Sequence, residues 1–64
     1  MNLTTREDYE SMTVGTEVIS ESGIKWTKFN DGCWSWESHC GTWVRSNNEL
    51  AGIERRVVKG RKKW

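Results

Sequence analysis

Six glycines divide this 64-residue chain into short segments of similar length. They lie 8, 9, 9, 11 and 8 residues apart, and the segments between them are rich in Val, Ile, Thr, Trp and Phe. Turn residues at this spacing, with β-branched and aromatic residues between them, are typical of short strands joined by tight turns. The spacing therefore predicts a small all-β domain, and a chain of this length has room for only one.

Five strands are predicted, over residues 13–20, 24–29, 33–39, 42–45 and 53–58. Ser22 and Gly23 supply the first hairpin turn, because glycine readily adopts the positive φ that such turns need. Ser46 and Glu49 match a capping box, which predicts one helical turn that ends at Gly52. Five short strands with a helical turn before the last form the layout of a small SH3-like barrel. An OB-like barrel needs more residues and a longer helix.

The N-terminal residues predict a short helix or an arm. Thr4 and Glu7 match a capping box, but a helix of at most two turns is marginal in water. Leu3, Tyr9 and Met12 must therefore pack on the barrel to hold it, and disorder is the alternative. The predicted domain division is an N-terminal arm or short helix over residues 1–12, a barrel over 13–58 and a basic tail over 59–64.

The turn at residues 30–32 decides which face of the sheet the tryptophans occupy, because a one-residue slip moves every side chain to the other face. In a three-residue loop Gly32 is left-handed and forms a bulge. Trp26 then faces Trp36, and Lys28 faces Trp34. In a two-residue loop, Phe29 faces Trp34 instead, and Trp26 moves to the other side.

We favour the three-residue loop because it gathers four apolar side chains on one face and leaves polar ones on the other, as a half-buried antiparallel sheet requires. The apolar set is Ile24, Trp26, Trp34 and Trp36. The solvent-facing set is Lys25, Thr27 and Glu37. In this register Trp26 and Trp36 are packing residues, and Trp43 and Trp64 are the tryptophans expected at the surface.

Charge is segregated along the chain. Residues 1–52 carry four basic and eight acidic side chains, a balance of −4, whereas residues 53–64 carry six basic and one acidic, a balance of +5. A basic tail of this kind favours an anionic partner; a solvated tail folded back on the acidic body explains it equally well. Cations beside an aromatic ring that stacks on bases can contact nucleic acid. The candidate nucleic-acid-binding residues are Arg55, Arg56, Arg61, Lys62, Lys63 and Trp64.

No arrangement of residues predicts catalysis, a metal or a cofactor. Cys33, His39 and Cys40 lack the fourth ligand of a structural zinc site. A strand would hold the two sulfurs too far apart for a disulfide, unless the strand ends early and the chain turns back. We expect no enzymatic activity and no small-molecule substrate. No segment approaches the roughly 18 apolar residues of a membrane span, and residues 1–9 lack the apolar core of a secretory signal. The chain is therefore expected to be cytoplasmic, with reduced thiols.

Three short motifs resemble a family of small proteins encoded by bacteriophages of actinobacteria. They are MTVGTEV at residues 12–18, GIKWTK at 23–28 and DGCW at 31–34. The family pattern is P-V-G-T-x-V, G-x-x-W-x-K, D-G-x-W and S-x-x-L. Here Thr13 stands where proline is usual, and Ser46 and Leu50 lie at a slightly different spacing. The resemblance covers residues 12–50 and implies an accessory, non-structural phage product that acts in the host cytoplasm. It transfers no functional residues.

A protein-binding role is predicted from one exposed aromatic residue surrounded by charged side chains, a composition favoured at interface hot spots. Trp43 is the predicted anchor, and Lys25, Lys28 and Arg45 form its predicted rim. We therefore expect a non-enzymatic accessory protein that engages, and by engaging can inhibit, a host protein. The alternative is a small nucleic-acid-binding protein that uses residues 55–64.

Overall fold

The computed structural model describes all 64 residues and contains six strands and two short helices. In chain order these are β1 (Asn2–Leu3), α1 (Arg6–Glu10), β2 (Glu17–Ile19), β3 (Lys25–Asn30), β4 (Cys33–Ser38), β5 (Gly41–Ser46), α2 (Asn47–Leu50) and β6 (Arg55–Lys59). All strand pairs are antiparallel. Neither helix is long and apolar enough to cross a membrane.

The strands form one sheet in the order β1–β6–β2–β3–β4–β5. The prediction of a mostly β chain is confirmed. The sheet is open, however, because β1 and β5 are its two edges and do not pair with each other. The structure also has a sixth strand that the sequence pattern did not indicate. In β1, Asn2 lies opposite Arg56 and Leu3 lies opposite Arg55. The Met1 carbonyl also accepts a hydrogen bond from the Val57 N–H of β6.

The N-terminal helix begins one residue later than predicted. Thr5, not Thr4, is the N-cap: its hydroxyl accepts from the Asp8 N–H at 3.2 Å. The Asp8 carboxylate accepts in return from the N–H groups of Thr5 at 3.0 Å and of Thr4 at 2.9 Å. The capping box is therefore Thr5–Asp8, and Glu7 takes no part in it.

The core lies between one face of the sheet and the two helices. Its buried hydrophobic residues are Leu3, Tyr9, Met12, Val18, Trp26, Trp34 and Leu50. The N-terminal segment contributes the first three of these, as its predicted docking requires. The Tyr9 ring meets the Trp34 ring edge-on, with centroids 5.7 Å apart. Burial of the N-terminal aromatic residue thus fixes α1 over the start of β4, at Trp34.

The β3–β4 hairpin combines features of the two predicted registers. Asn30 lies opposite Cys33, which leaves a two-residue loop, yet Lys28 lies opposite Trp34. The extra residue, Phe29, is accommodated as a β-bulge within β3. The predicted pairing of Lys28 with Trp34 is confirmed.

The conformation predicted for Gly32 is wrong, because Gly32 is not among the glycines with positive φ. The extra residue of the hairpin is Phe29 in β3, and not a left-handed Gly32 in the loop. The tryptophans still occupy the faces that were predicted for them. Trp26 is buried, Trp36 packs against the core, and Trp43 and Trp64 are exposed.

The second helical turn forms as predicted. The Ser46 hydroxyl accepts from the Glu49 N–H at 3.2 Å, and the Glu49 carboxylate accepts from the Ser46 N–H at 2.8 Å. Gly52 follows with a φ of 94°. This turn places Leu50 in the core and leads the chain into β6.

The C-terminal residues run along the N-terminal segment. Lys59 belongs to β6, and Met12 and Lys62 form an isolated β-bridge beyond it. The Arg61 carbonyl accepts from the Thr13 N–H at 3.0 Å, and the Lys63 N–H donates to the Ser11 carbonyl at 2.7 Å. Most of the segment predicted as a tail is therefore hydrogen-bonded to the body.

Candidate protein-binding surface

A row of apolar side chains crosses the sheet and ends at its open edge. Val18 lies opposite Trp26, and Trp36 lies opposite Trp43. The rings of Trp26 and Trp36 bridge the two pairs, with centroids 6.0 Å apart. We call Trp26, Trp36 and Trp43 the tryptophan row. The exposed fraction is 8% for Trp26 and 46% for Trp43, so the row runs from the core to solvent.

The exposed end of the tryptophan row has a defined geometry. The Trp43 ring stacks on the Trp36 ring at a centroid distance of 6.4 Å and an interplanar angle of 22°. The Arg45 guanidinium lies 5.7 Å from the centroid of the Trp43 ring, within the range of a cation–π contact. The outermost ring is thus held on one side by an aromatic neighbour and contacted by a cation, while 46% of the residue stays accessible.

Of the predicted rim, only Arg45 lies beside Trp43. Lys25 is next to Trp26 in β3, so it faces the opposite side of the sheet. There its ammonium lies 3.6 Å from the Glu17 carboxylate. Lys25 therefore cannot share a contact surface with the Trp43 ring on the other face.

Lys28 was also expected at the rim, and the structure corrects this prediction: the side chain is fully buried. Its ammonium donates to the carbonyls of Tyr9 at 2.9 Å, Glu10 at 3.2 Å and Met12 at 2.8 Å. The last carbonyls of a helix have no partner within it, so Lys28 supplies donors to the end of α1 and the residues that follow. It also lies 5.6 Å from the Trp34 ring.

Burial lowers the pKa of Lys28 below its ordinary value, and the positive charge of Lys63 lowers it further. No carboxylate pairs with the ammonium, which is held by carbonyl oxygens alone. Its place opposite Trp34 on the apolar face was the sequence signal for burial. Lys28 is therefore a structural residue and not part of a binding surface.

The candidate nucleic-acid-binding residues are not gathered into one patch. Arg55 is 7% exposed, and its guanidinium donates to the Tyr9 hydroxyl at 3.0 Å and the Leu50 carbonyl at 2.8 Å. The Lys63 ammonium pairs with the Asp31 carboxylate at 2.9 Å. Arg55 is therefore unavailable to a ligand, and Lys63 is partly neutralised within the fold.

The remaining members of that set are exposed. Arg56 lines a depression together with Glu21 and Glu54, surroundings that disfavour a phosphate. Arg61 lines a separate depression of about 530 Å³ beside Lys59. The other two members, Lys62 and Trp64, are exposed at the C-terminus, where Trp64 has an exposed fraction of 82%.

The residues considered as metal ligands are spread along the β4–β5 hairpin. Cys33 begins β4 and is half-buried, whereas His39 and Cys40 lie in the exposed turn after that strand. His39 was predicted inside the strand, which ends at Ser38. Both cysteines are free thiols.

Comparison with protein-family models, with curated proteins and with solved structures finds no match for this chain. Function is therefore inferred from the surface itself. Its distinguishing feature is the position of Trp43 and Arg45 together on the edge strand β5.

Proposed function

We propose that this protein is a non-enzymatic binding protein that engages a protein partner through Trp43 and Arg45. The observation that carries the proposal is an accessible tryptophan ring held in place by Trp36 at the open edge of the sheet. Tryptophan and arginine are among the residue types enriched at interface hot spots. A ring already fixed by stacking loses little rotational freedom on binding, which favours affinity.

The partner that we propose is a protein of a bacterial host, and the chain is then an accessory phage product acting in the host cytoplasm. The support for this is the resemblance of residues 12–18, 23–28 and 31–34 to phage-encoded small proteins. We further propose that the sheet is an open variant of the SH3-like barrel. Its support is the order β6–β2–β3–β4–β5, with the last strand beside β2 and a helical turn before it.

The test is capture of a partner from a bacterial lysate, with and without nuclease, using immobilised wild-type protein and two variants. Trp43→Ala removes the proposed anchor, and Trp64→Ala is the matched control because it removes the other exposed tryptophan. Loss of a hot-spot side chain costs about 2 kcal/mol or more, roughly 30-fold in affinity. We expect a nuclease-resistant partner that wild type and Trp64→Ala retain and Trp43→Ala loses. Full capture by Trp43→Ala would contradict the proposal.

Nucleic-acid binding is the second candidate, supported by the exposure of Trp64 and by two cations near it in the chain, Arg61 and Lys62, that form no ion pair. A triple alanine variant of these residues should then abolish binding to a single-stranded oligonucleotide. Wild-type affinity should fall steeply between about 50 and 200 mM salt. Binding that is insensitive to salt, or retained by the triple variant, would exclude this role.

A further inference from the structure

The outer edge of β5 carries backbone groups that no strand of the chain satisfies. The Asn47 N–H donates to the Gly32 carbonyl at 3.1 Å, one residue beyond the β4–β5 ladder and in its register. Hydrogen-bonded pairs alternate with non-bonded pairs along an antiparallel ladder. Trp43 and Arg45 therefore direct their backbone groups toward β4. Thr42 and Val44 direct theirs to the open edge.

Side chains occupy part of this edge. The Arg45 guanidinium donates to the Val44 carbonyl at 2.8 Å, and the Glu49 carboxylate accepts from the Ser46 N–H at 2.8 Å. Glu49 holds its bond as part of a helix cap, so Ser46 cannot donate to another chain. The Arg45 side chain is half-buried and its bond belongs to no helix cap, so the guanidinium can leave the Val44 carbonyl when another chain pairs there. The part of the edge open to pairing is therefore Thr42 and Val44.

We propose that a second copy of this chain pairs with β5 in antiparallel orientation about a two-fold axis at Trp43. The two-fold axis is perpendicular to the sheet, so it keeps each side chain on the same face of the sheet. Two residues paired across the axis must also share a face, and this is possible only if one residue of β5 pairs with its own copy at the axis. An axis at residue 43 places Thr42 of each copy opposite Val44 of the other. Both pairs are then hydrogen-bonded pairs, which gives four backbone bonds between the copies.

The side chains fit this register. Trp43 lies opposite Trp43 of the second copy in a non-hydrogen-bonded pair, where side chains approach most closely. The tryptophan row is then continued by the same row of the second copy. Arg45 lies opposite Gly41 of the second copy, where no side chain obstructs the guanidinium. An axis at residue 44 is less favourable, because it needs donors from Ser46 that Glu49 already holds.

The interface is small, so the association is weak. Stable protein interfaces generally bury more than about 1,000 Å², and this one is confined to a few residues of β5 in each copy. We expect a reversible monomer–dimer equilibrium in the high micromolar range. The proposal goes beyond the binding of a foreign protein and is independent of it, since it concerns the purified chain alone. A foreign partner that needs Trp43 would compete with it.

The experiment is sedimentation equilibrium of the purified full chain from about 10 μM to 1 mM, which brackets the range of a weak, small interface. The apparent mass should rise from 7.5 kDa toward twice that value. Val44→Pro removes only an N–H that points away from β4, which an edge strand tolerates. It deletes two of the four inter-copy bonds and should weaken dimerisation about tenfold. Val44→Thr keeps the N–H and the branched shape and should dimerise like wild type.

A second measurement, on the wild type, does not depend on whether the proline variant folds. Amide hydrogen exchange of the wild type should slow at Thr42 and Val44 on concentration, and it should stay unchanged at Thr27 on the far side of β4. Trp43→Ala should lower the association without changing the exchange of buried amides. A chain that stays at 7.5 kDa at 1 mM, or one that dimerises with unchanged exchange at Thr42 and Val44, would overturn the proposal.

Discussion

Replacing Lys28 with methionine tests the packing of the N-terminal segment on the sheet. The ammonium donates to three carbonyls, those of Tyr9, Glu10 and Met12, at 2.8 to 3.2 Å. Methionine keeps most of the apolar stem and removes all three donors. The Tyr9 and Met12 carbonyls lie in buried bonds, so water cannot readily replace the lysine there.

The magnitude follows from the groups left without donors. A buried carbonyl that loses its donor costs about 1–3 kcal/mol. The Tyr9 carbonyl keeps a long 3.5 Å bond from the Met12 N–H, so the two carbonyls together cost about 2–5 kcal/mol. Removing a charge whose burial was unfavourable offsets part of this, so we expect a net loss of about 2–4 kcal/mol. A chain of this length has a total stability of about 3–10 kcal/mol. Lys28→Met should therefore lower Tm by roughly 10–25 °C.

The assay is urea denaturation followed by tryptophan fluorescence, with linear extrapolation of the unfolding free energy. Lys25→Met is the matched control, since Lys25 is on the same strand but its side chain forms only a partly exposed ion pair with Glu17. Such pairs contribute about 1 kcal/mol at most. A Lys28→Met variant that is as stable as Lys25→Met would refute the structural role of the buried ammonium.

Three further changes should have separable effects on stability. Gly60→Ala should lower the unfolding free energy by more than about 2 kcal/mol in denaturant titration, because the added Cβ would lie 2.7 Å from Thr16 Cα. Gly23→Ala is the control, since Gly23 has open space around it and the substitution should cost only about 1 kcal/mol of backbone strain. Equal costs for the two variants would contradict this prediction. Trp34→Phe should cost about 2–3 kcal/mol, because the buried 2.7 Å bond from the indole N–H to the Asn47 amide oxygen is lost; an unchanged urea midpoint would argue against that bond. The N–H groups of Thr4 and Thr5 lower the pKa of Asp8 below its ordinary value of 3.8. The ionised Asp8 carboxylate therefore stabilises the folded state above pH 3.8, and this contribution is lost as the pH falls through the pKa of Asp8 in the folded state. Asp8→Asn should therefore flatten the acid-side decline of the unfolding free energy, and an unchanged slope would contradict it.

The elements that the sequence predicts well are those decided by local chemistry. The second capping box depends only on Ser46 and Glu49, three residues apart, and it forms as expected. The pairing of Lys28 with Trp34 follows from the need to place apolar side chains on one face. Trp43 is exposed, as expected, and it lies at the outer end of the tryptophan row on the edge strand β5.

The features that the sequence could not predict depend on distant residues. A strand of two residues shows no alternation, and β1 exists because β6, more than 50 residues later, offers it an edge. The position of Lys28 opposite Trp34 indicates burial, but its hydrogen-bond partners could not be predicted, because they are carbonyls 16 to 19 residues earlier in the chain. Because of the bulge at Phe29, Lys28 pairs with Trp34 although the loop has only two residues. The turn residues alone do not predict this bulge. The open edge likewise depends on β1 and β5 failing to meet.

The tryptophan row runs from the protein interior to an accessible ring at the edge of β5. Hydrogen exchange at the five indole N–H groups, measured by NMR at low concentration, distinguishes the buried rings from the accessible ones. The indole of Trp34, which is buried and hydrogen-bonded, should exchange slowest, and those of Trp43 and Trp64 should exchange fast. A protected Trp43 indole in the monomer, or a Trp34 indole that exchanges as fast as that of Trp64, would contradict the account.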